Sequence, residues 1–342
     1  MKLGNVTGVV YDRSIHKKLN TTRKEIVNSA VRGEDCAVLA FDEFPGDPGI
    51  GHWTENPAGI ALAAAQAQTV YYGENCGKYA VFAAVNQAAC AGAASPAGVL
   101  MHILLPAESR EETLRRIVED AQNASKALNV ELADVKANVT GAVISPVVTA
   151  AALGVCGLVS KRTEMPITGS EIVMTKWAGL EGSALLAEHC AEKLKERYPS
   201  YLIEEAADFD RFLSIVPEAA AATKSGVSML CAAAEGGIFR ALWTLAERAG
   251  TGLEIDLKKI PIRQETVEIC NYLDLNPYEL AANGSLLCVT EHGEALVRKL
   301  DKIGVLAAII GTVTANNDRV ILNGEERRFL EPAKADEIHK IL

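Results

Sequence analysis

A chain of 342 residues with 49% hydrophobic and 23% charged residues has ordinary globular composition and the length for two domains, each able to bury its own core. The net charge of −10 and a pI near 5.3 leave no excess of Lys or Arg to neutralise phosphates, which argues against a general nucleic-acid binder and leaves small molecules or protein partners. No apolar run reaches the roughly 18 residues that span a bilayer, and the opening Met-Lys-Leu-Gly-Asn-Val-Thr has no signal-peptide core, so a cytoplasmic protein without membrane attachment is expected.

The first 30 residues hold a basic segment, Asp12-Arg-Ser-Ile-His-Lys-Lys, and a polar stretch from Arg23 to Val31 that predicts a helix. Gly33-Glu-Asp-Cys-Ala-Val-Leu-Ala-Phe runs from a turn into an apolar strand; acids beside glycine are ordinarily a solvated turn. Residues 43–59 are too rich in Pro and Gly for a helix or a central strand and read as a long loop, with His52 and Trp53 its groups of recognition chemistry. Ile60 to Val70 is built of Ala and Gln, and a small-residue helix follows from Gly77 to a break at Gly92 and Pro96. Val99 to Leu105 predicts a strand, Glu108 to Leu128 a long amphipathic helix, and Pro146 to Leu153 another strand. A boundary falls near Cys156 to Met165, giving domains 1–156 and 157–342.

The second domain opens with a strand, a glycine turn and a helix around Gly169 to Ala187, where Glu181 is a charge favoured at a helix N-terminus and needs no further role. Its centre is Cys231-Ala-Ala-Ala-Glu-Gly-Gly-Ile-Phe-Arg. After Gly236 and Gly237, apolar residues recur at Ile238, Ala241, Leu242, Leu245, Ala246 and Ala249, one face of a helix, which Gly250 and Gly252 can end before an alternating strand from Leu253. Two glycines before a helix N-terminus can cradle a phosphate, and they can equally form a tight turn that packs helix on sheet. Helix, turn, strand, helix and strand follow between Ile260 and Val313. Eight scattered cysteines without a Cys-x-x-Cys pair suggest neither a zinc site nor a disulfide framework, so no metal is assigned.

Taken in order, Gly33-Glu-Asp-Cys-Ala, Asn86-Gln87 before Gly92-Ala-x-x-Pro96, Leu104-Leu-Pro, Leu180-Glu-Gly, Glu235-Gly-Gly and Ile260-Pro-Ile-Arg resemble the aminoimidazole ribonucleotide synthetase superfamily, PurM-like proteins that include thiamine monophosphate kinase, selenophosphate synthetase and, nearest in pattern, the hydrogenase maturation factor HypE. The resemblance implies a two-domain α/β (α+β) fold, a homodimer whose N-terminal domains build a shared β-barrel, and an ATP site at which Asp35, Asn86, Gln87, Asn138, Glu235, Gly236 and Gly237 are the remnant candidates. It also implies losses. Ala67 stands where relatives place a metal-binding Asp, Gln87 follows Asn86 where they have Asn-Asp, and Asn138 ends the stretch where they carry Gly-Gly-His-Thr-Glu. Cys231-Ala232 replaces His-Asp, and no cysteine follows Cys288, whereas HypE proper ends in a thiol that accepts a carbamoyl group.

Hard Mg ions are held mainly by carboxylates and phosphates, and phosphoryl transfer depends on that neutralisation. The chain is therefore expected to be a catalytically degenerate relative that needs no cofactor and acts as a scaffold, regulator or binder of a protein partner or small uncharged ligand. The alternative is an ATP- and Mg-dependent enzyme of the HypE/PurM class, activating an amide or an oxygen.

Overall fold

The computed structural model describes residues 8–19, 26–28, 37–41, 60–70, 73–93, 96–156, 166–332 and 335–342. The chain divides into two compact units, Ile15–Thr163 and Glu164–Leu342, the latter together with Met1–Ser14. No helix among the described residues is long and apolar enough to cross a membrane.

The N-terminal unit carries β1 (Ile26–Asn28), β2 (Ala37–Phe41), β3 (Ile60–Val70), β4 (Gly98–Pro106), β5 (Glu131–Thr140) and β6 (Val147–Cys156) in one open sheet ordered β1-β2-β3-β6-β4-β5. It does not close on itself. The pair β4–β5 is parallel and the others antiparallel, so β4 and β5 need a long crossover, which helix α3 (Glu111–Ala127) supplies. The segment expected to be a helix from Arg23 includes β1, whose Ile26 pairs with Leu39 of β2; strand pairing outweighs the weak local helix preference there. Helix α1 lies earlier, at Gly8–Ser14.

Period-two alternation settles which sheet face is covered. Ala61, Ala63, Ala65 and Ala67 of β3, Val148, Ala150 and Ala152 of β6, and Val99, Met101, Ile103 and Leu105 of β4 are buried. Helix α2 (Cys76–Cys90) packs on β3 and β6, and its small residues bring it close: a Cβ on Gly77 would lie 2.2 Å from the Ile117 carbonyl oxygen of α3. The alternate residues, among them Leu62, Ala64, Leu100, Ala151, Leu153 and Val155, are left partly or fully exposed on the other face.

The C-terminal unit has a seven-stranded sheet ordered β13-β12-β9-β11-β7-β10-β8, from β7 (Glu171–Thr175), β8 (Met229–Ala232), β9 (Gly252–Asp256), β10 (Leu286–Thr290), β11 (Ala307–Thr314), β12 (Arg319–Asn323) and β13 (Glu326–Phe329). Only β12–β9 is parallel among these pairs. Helices α4 (Leu180–His189), α5 (Ala191–Lys195), α6 (Ser200–Ala207), α7 (Val216–Thr223), α8 (Gly237–Ala249), α9 (Gln264–Leu273) and α10 (Gly293–Asp301) surround it. The apolar stripe read from the sequence, Ile238, Leu242, Leu245 and Ala249 of α8, packs on Ile172, Met174, Leu253, Ile255 and Val289.

One ion pair is sunk in this unit. Lys176, at φ +55°, donates from Nζ to the carbonyl oxygens of Ser214 (2.5 Å) and Gly284 (2.8 Å) and lies 2.6 Å from Glu218 Oε1, both side chains being buried. Burial pulls the lysine below its ordinary pKa while Glu218 pushes it back up. Removing one partner of such a pair strands the other charge, so Glu218→Ala is predicted to lower stability by about 3–5 kcal/mol. Replacing both with apolar residues should recover most of that loss. Urea unfolding followed by tryptophan fluorescence checks both; a loss under about 1 kcal/mol in the single variant contradicts the assignment.

Candidate functional site

The sequence candidates fall in both units. Asp35 lies outside the described residues. In the N-terminal unit Asn86 is fully buried on α2 and Gln87 is half-buried beside it. Asn138 is exposed on the edge strand β5, where its Oδ1 accepts from His102 Nε2 at 2.8 Å. His102 belongs to the face away from α2, so the sheet separates Asn138 from Asn86. Ala67 points to the helix-covered face, between the exposed Gln66 and Gln68.

In the C-terminal unit, β8 delivers the chain to Glu235, Gly236 and Gly237 at the N-terminus of α8. Gly236 and Gly237 have φ of +83° and +66°, a region in which a Cβ is strained. Beyond that, a Cβ on Gly237 would lie 2.5 Å from the Tyr278 carbonyl oxygen and 2.7 Å from that of Leu280, so glycine lets two backbone segments touch. Phe239 N–H donates to Tyr278 O, Ala282 N–H to Ala234 O, and Ala233 N–H to Ser285 O, fastening the turn to residues 278–285. Cys231, buried just before the turn, directs its Sγ at the Ala241 carbonyl at 3.7 Å and acts as a packing residue.

The amide of the glycine turn is already taken. Gly236 N–H donates to Asp336 Oδ2 at 2.5 Å, and the other carboxylate oxygen accepts from Ala281 N–H (3.2 Å) and Ile338 N–H (2.8 Å). Asp336 thus satisfies orphan donors at a helix start from 100 residues away in sequence. The neighbouring Glu337 accepts from Asn276 N–H at 2.9 Å, and His339 Nε2 lies 3.3 Å from Glu235 Oε1. Arg240 sits over Gly236, held below its ordinary pKa by burial and pushed back up by Glu235 and Asp336.

A third carboxyl completes the cluster. Glu181, in the first turn of α4, is 3% exposed and bonds to Asn283. Burial, then the Asp336 carboxylate, push it up to about 8, while Asp336 itself is pushed up to about 6 by burial against the opposing pull of its N–H donors. Sequence reasoning gave Glu181 no role beyond the helix dipole and did not see Asp336. An Asp-Glu pair closing a tail after Pro332 was the available signal, but nothing local ties it to Gly236.

Two compact α/β units, the second built around a glycine-started helix beside buried carboxyls, define a two-unit α/β architecture. The chain belongs to the AIR synthase related protein family: the N-terminal-domain model of that family matches residues 33–156 and the C-terminal-domain model residues 168–323. Carbamoyl dehydratase HypE of Rhizobium leguminosarum is 25% identical over 254 residues, 72% of this chain and 70% of that protein. Among solved structures, a HypE–HypF complex matches with a TM-score of 0.64 at 19% identity, covering 83% of this chain and 98% of that one. HypE in complex with ATP matches with a TM-score of 0.64 at 17% identity, covering 93% and 92%.

The two glycines separate by what their Cβ would meet. At Gly236 the nearest atom is the flexible Arg240 Cδ at 2.6 Å, so Gly236→Ala is predicted to cost little beyond left-handed strain, about 1–2 kcal/mol. Gly237→Ala meets fixed carbonyl oxygens and should cost at least about 3 kcal/mol in denaturant unfolding. Equal losses at the two positions contradict the close-approach reading.

Proposed function

We propose that this protein is a homodimeric, catalytically degenerate member of its family that serves as a scaffold or regulator, contacting a protein partner or a small uncharged ligand. One observation carries the reading: Ala67, Gln87, Asn138 and the Cys231-Ala232 pair place neutral groups at four separated positions where the resemblance expects metal-holding acids or a His-Asp pair. The residues present fit Mg-ATP poorly. Gln87 and Asn138 offer carbonyl oxygens without charge, Asn138 is engaged by His102, and the Gly236 amide is occupied by Asp336. HypE is solved together with HypF, which supports a protein partner as the thing bound here.

The competing reading, an ATP-dependent enzyme acting on an amide or oxygen, is favoured by the intact Glu235-Gly-Gly turn and by a relative that is a carbamoyl dehydratase. Isothermal titration with Mg-ATP separates the two. Degeneracy predicts no tight binding, no hydrolysis above background and little effect of Asp35→Ala. Hydrolysis that Asp35→Ala abolishes sinks it.

The homodimer reading is supported by the uncovered sheet face of the N-terminal unit, where Leu62, Leu100, Leu153 and Val155 alternate with buried neighbours. A second copy laid on it would close a shared barrel and hide the edges that an open sheet leaves. Sedimentation at micromolar concentration is expected to show a dimer. Val155→Asp, which puts a charge on that face, should weaken it by at least about 2 kcal/mol, roughly thirtyfold in Kd. A wild-type monomer, or a dimer indifferent to Val155→Asp, contradicts this arrangement.

A further inference from the structure

We propose that strand β5 is a seam between two copies of this chain: a second copy pairs with it antiparallel, edge to edge, about a twofold axis at Val135. The inference rests on the homodimer reading and names the strand, the register and the charges through which the copies meet. Strand β5 ends the sheet order of the N-terminal unit, paired with β4 on one side, and among the described residues no strand pairs with its other side. It is ten residues long, contains no proline, and exposes all of them but Leu132, Val135 and Thr140, which are half-buried. Val139 is 63% exposed. An open row of backbone N–H and C=O groups of that length, blunted by nothing but side-chain charge, is a template for another strand.

Side-chain charge selects the occupant. Neighbouring antiparallel strands of one sheet that are related by a twofold axis have that axis perpendicular to the sheet, so one residue faces its own counterpart and residues equally far on either side of it face each other. Centred on Val135, the stretch Ala133-Asp-Val-Lys-Ala137 is its own complement. Asp134 then lies opposite the partner's Lys136, Lys136 opposite the partner's Asp134, and Ala133 opposite the partner's Ala137. Moving the axis to Asp134 or Lys136 sets like charges against each other. Centres farther out give neither charge an opposite partner and shorten the pairing, whereas Val135 keeps residues 131–139 paired, nearly the whole strand.

Asp134 and Lys136 project from the same sheet face, with Lys136 Nζ 3.9 Å from Asp134 Oδ2 and the two side chains 54% and 75% exposed. Within one copy an exposed pair of this kind contributes little. In the dimer four charges alternate in sign around the axis, each with an opposite neighbour on its own strand and another across the seam. Opposite charges directly across antiparallel strands are favourable and like charges unfavourable. The same residues reject other partners, because a lysine on an edge strand discourages pairing with any strand that brings no acid opposite it. A barrel shared by two open sheets needs such a seam, since closing it means pairing their edges.

Sedimentation of the full chain at micromolar concentration tests the seam through charge reversals at these exposed side chains, with circular dichroism to check the fold. Asp134→Lys and Lys136→Asp each set two like-charged pairs across the axis and should each raise the dimer Kd at least about tenfold. Mixing the two variants should restore association as a heterodimer, because every lysine then faces an aspartate. The double reversal Asp134→Lys/Lys136→Asp in one chain should restore the homodimer for the same reason. A loss in the single variants that neither mixing nor the double reversal repairs overturns the pairing, and so does a dimer that ignores every reversal; in both cases the homodimer reading stands. A wild-type monomer removes that reading and the seam together.

Discussion

The contact on which the C-terminal unit depends is backbone against backbone at Gly237, where the start of α8 lies against the carbonyls of Tyr278 and Leu280. Because no side chain intervenes, the position of residues 278–285 is dictated by the turn, and two other elements take their place from it. Helix α4 closes on the same segment through Gly182, whose missing Cβ would lie 2.4 Å from Leu280. The tail enters beside it through Asp336, bonded to the amides of both Gly236 and Ala281. Phe239, one turn into α8, stacks on Tyr278 with ring centres 5.2 Å apart. Packing of this kind tolerates little volume change, and it brings polar groups into a region that water does not reach.

Two buried polar arrangements in the unit show opposite solutions to the cost of burying charge. Lys176 and Glu218 are opposite charges 2.6 Å apart, and the lysine ammonium also donates to two carbonyl oxygens. Glu181 and Asp336 are two buried acids: burial raises both, and Asp336 is offset by the N–H groups of Gly236, Ala281 and Ile338.

Those two kinds of structure were unequally legible in the sequence. The glycine-started helix was readable because its apolar residues repeat at helical spacing over thirteen residues, and the structure places α8 at Gly237–Ala249 as expected. The strands β4 and β6 were readable as apolar runs, and helix α2 from its small residues ahead of the break at Gly92 and Pro96. Strand β5 was not, since Glu131-Leu-Ala-Asp-Val-Lys-Ala-Asn lies at a sheet edge, with both faces largely exposed, and shows no clean alternation. At Arg23–Val31 local composition suggested helix, and a long-range pairing with β2 prevailed at Ile26–Asn28. Asp336 was invisible for a further reason: its meaning lies in hydrogen bonds to Gly236 and Ala281, and no periodicity spans 100 residues.

On the proposed reading, the same physics allows neutral residues to stand where the resemblance places acids while the fold persists. Carboxylates gathered to hold a metal are mutually repulsive without it, and their desolvation is then uncompensated. A chain that does not bind the metal gains stability by replacing them, provided the replacement fills the space. On that reading Ala67 fills such a place on the helix-covered face of β3, next in the run to Ala61, Ala63 and Ala65. The glycines of the turn obey a different constraint, because Gly237 answers to the Tyr278 and Leu280 carbonyls whether or not a phosphate is bound. The proposed loss of acids is thus compatible with retained glycines: packing holds the glycines, whereas acids that serve a metal are held only by that ligand.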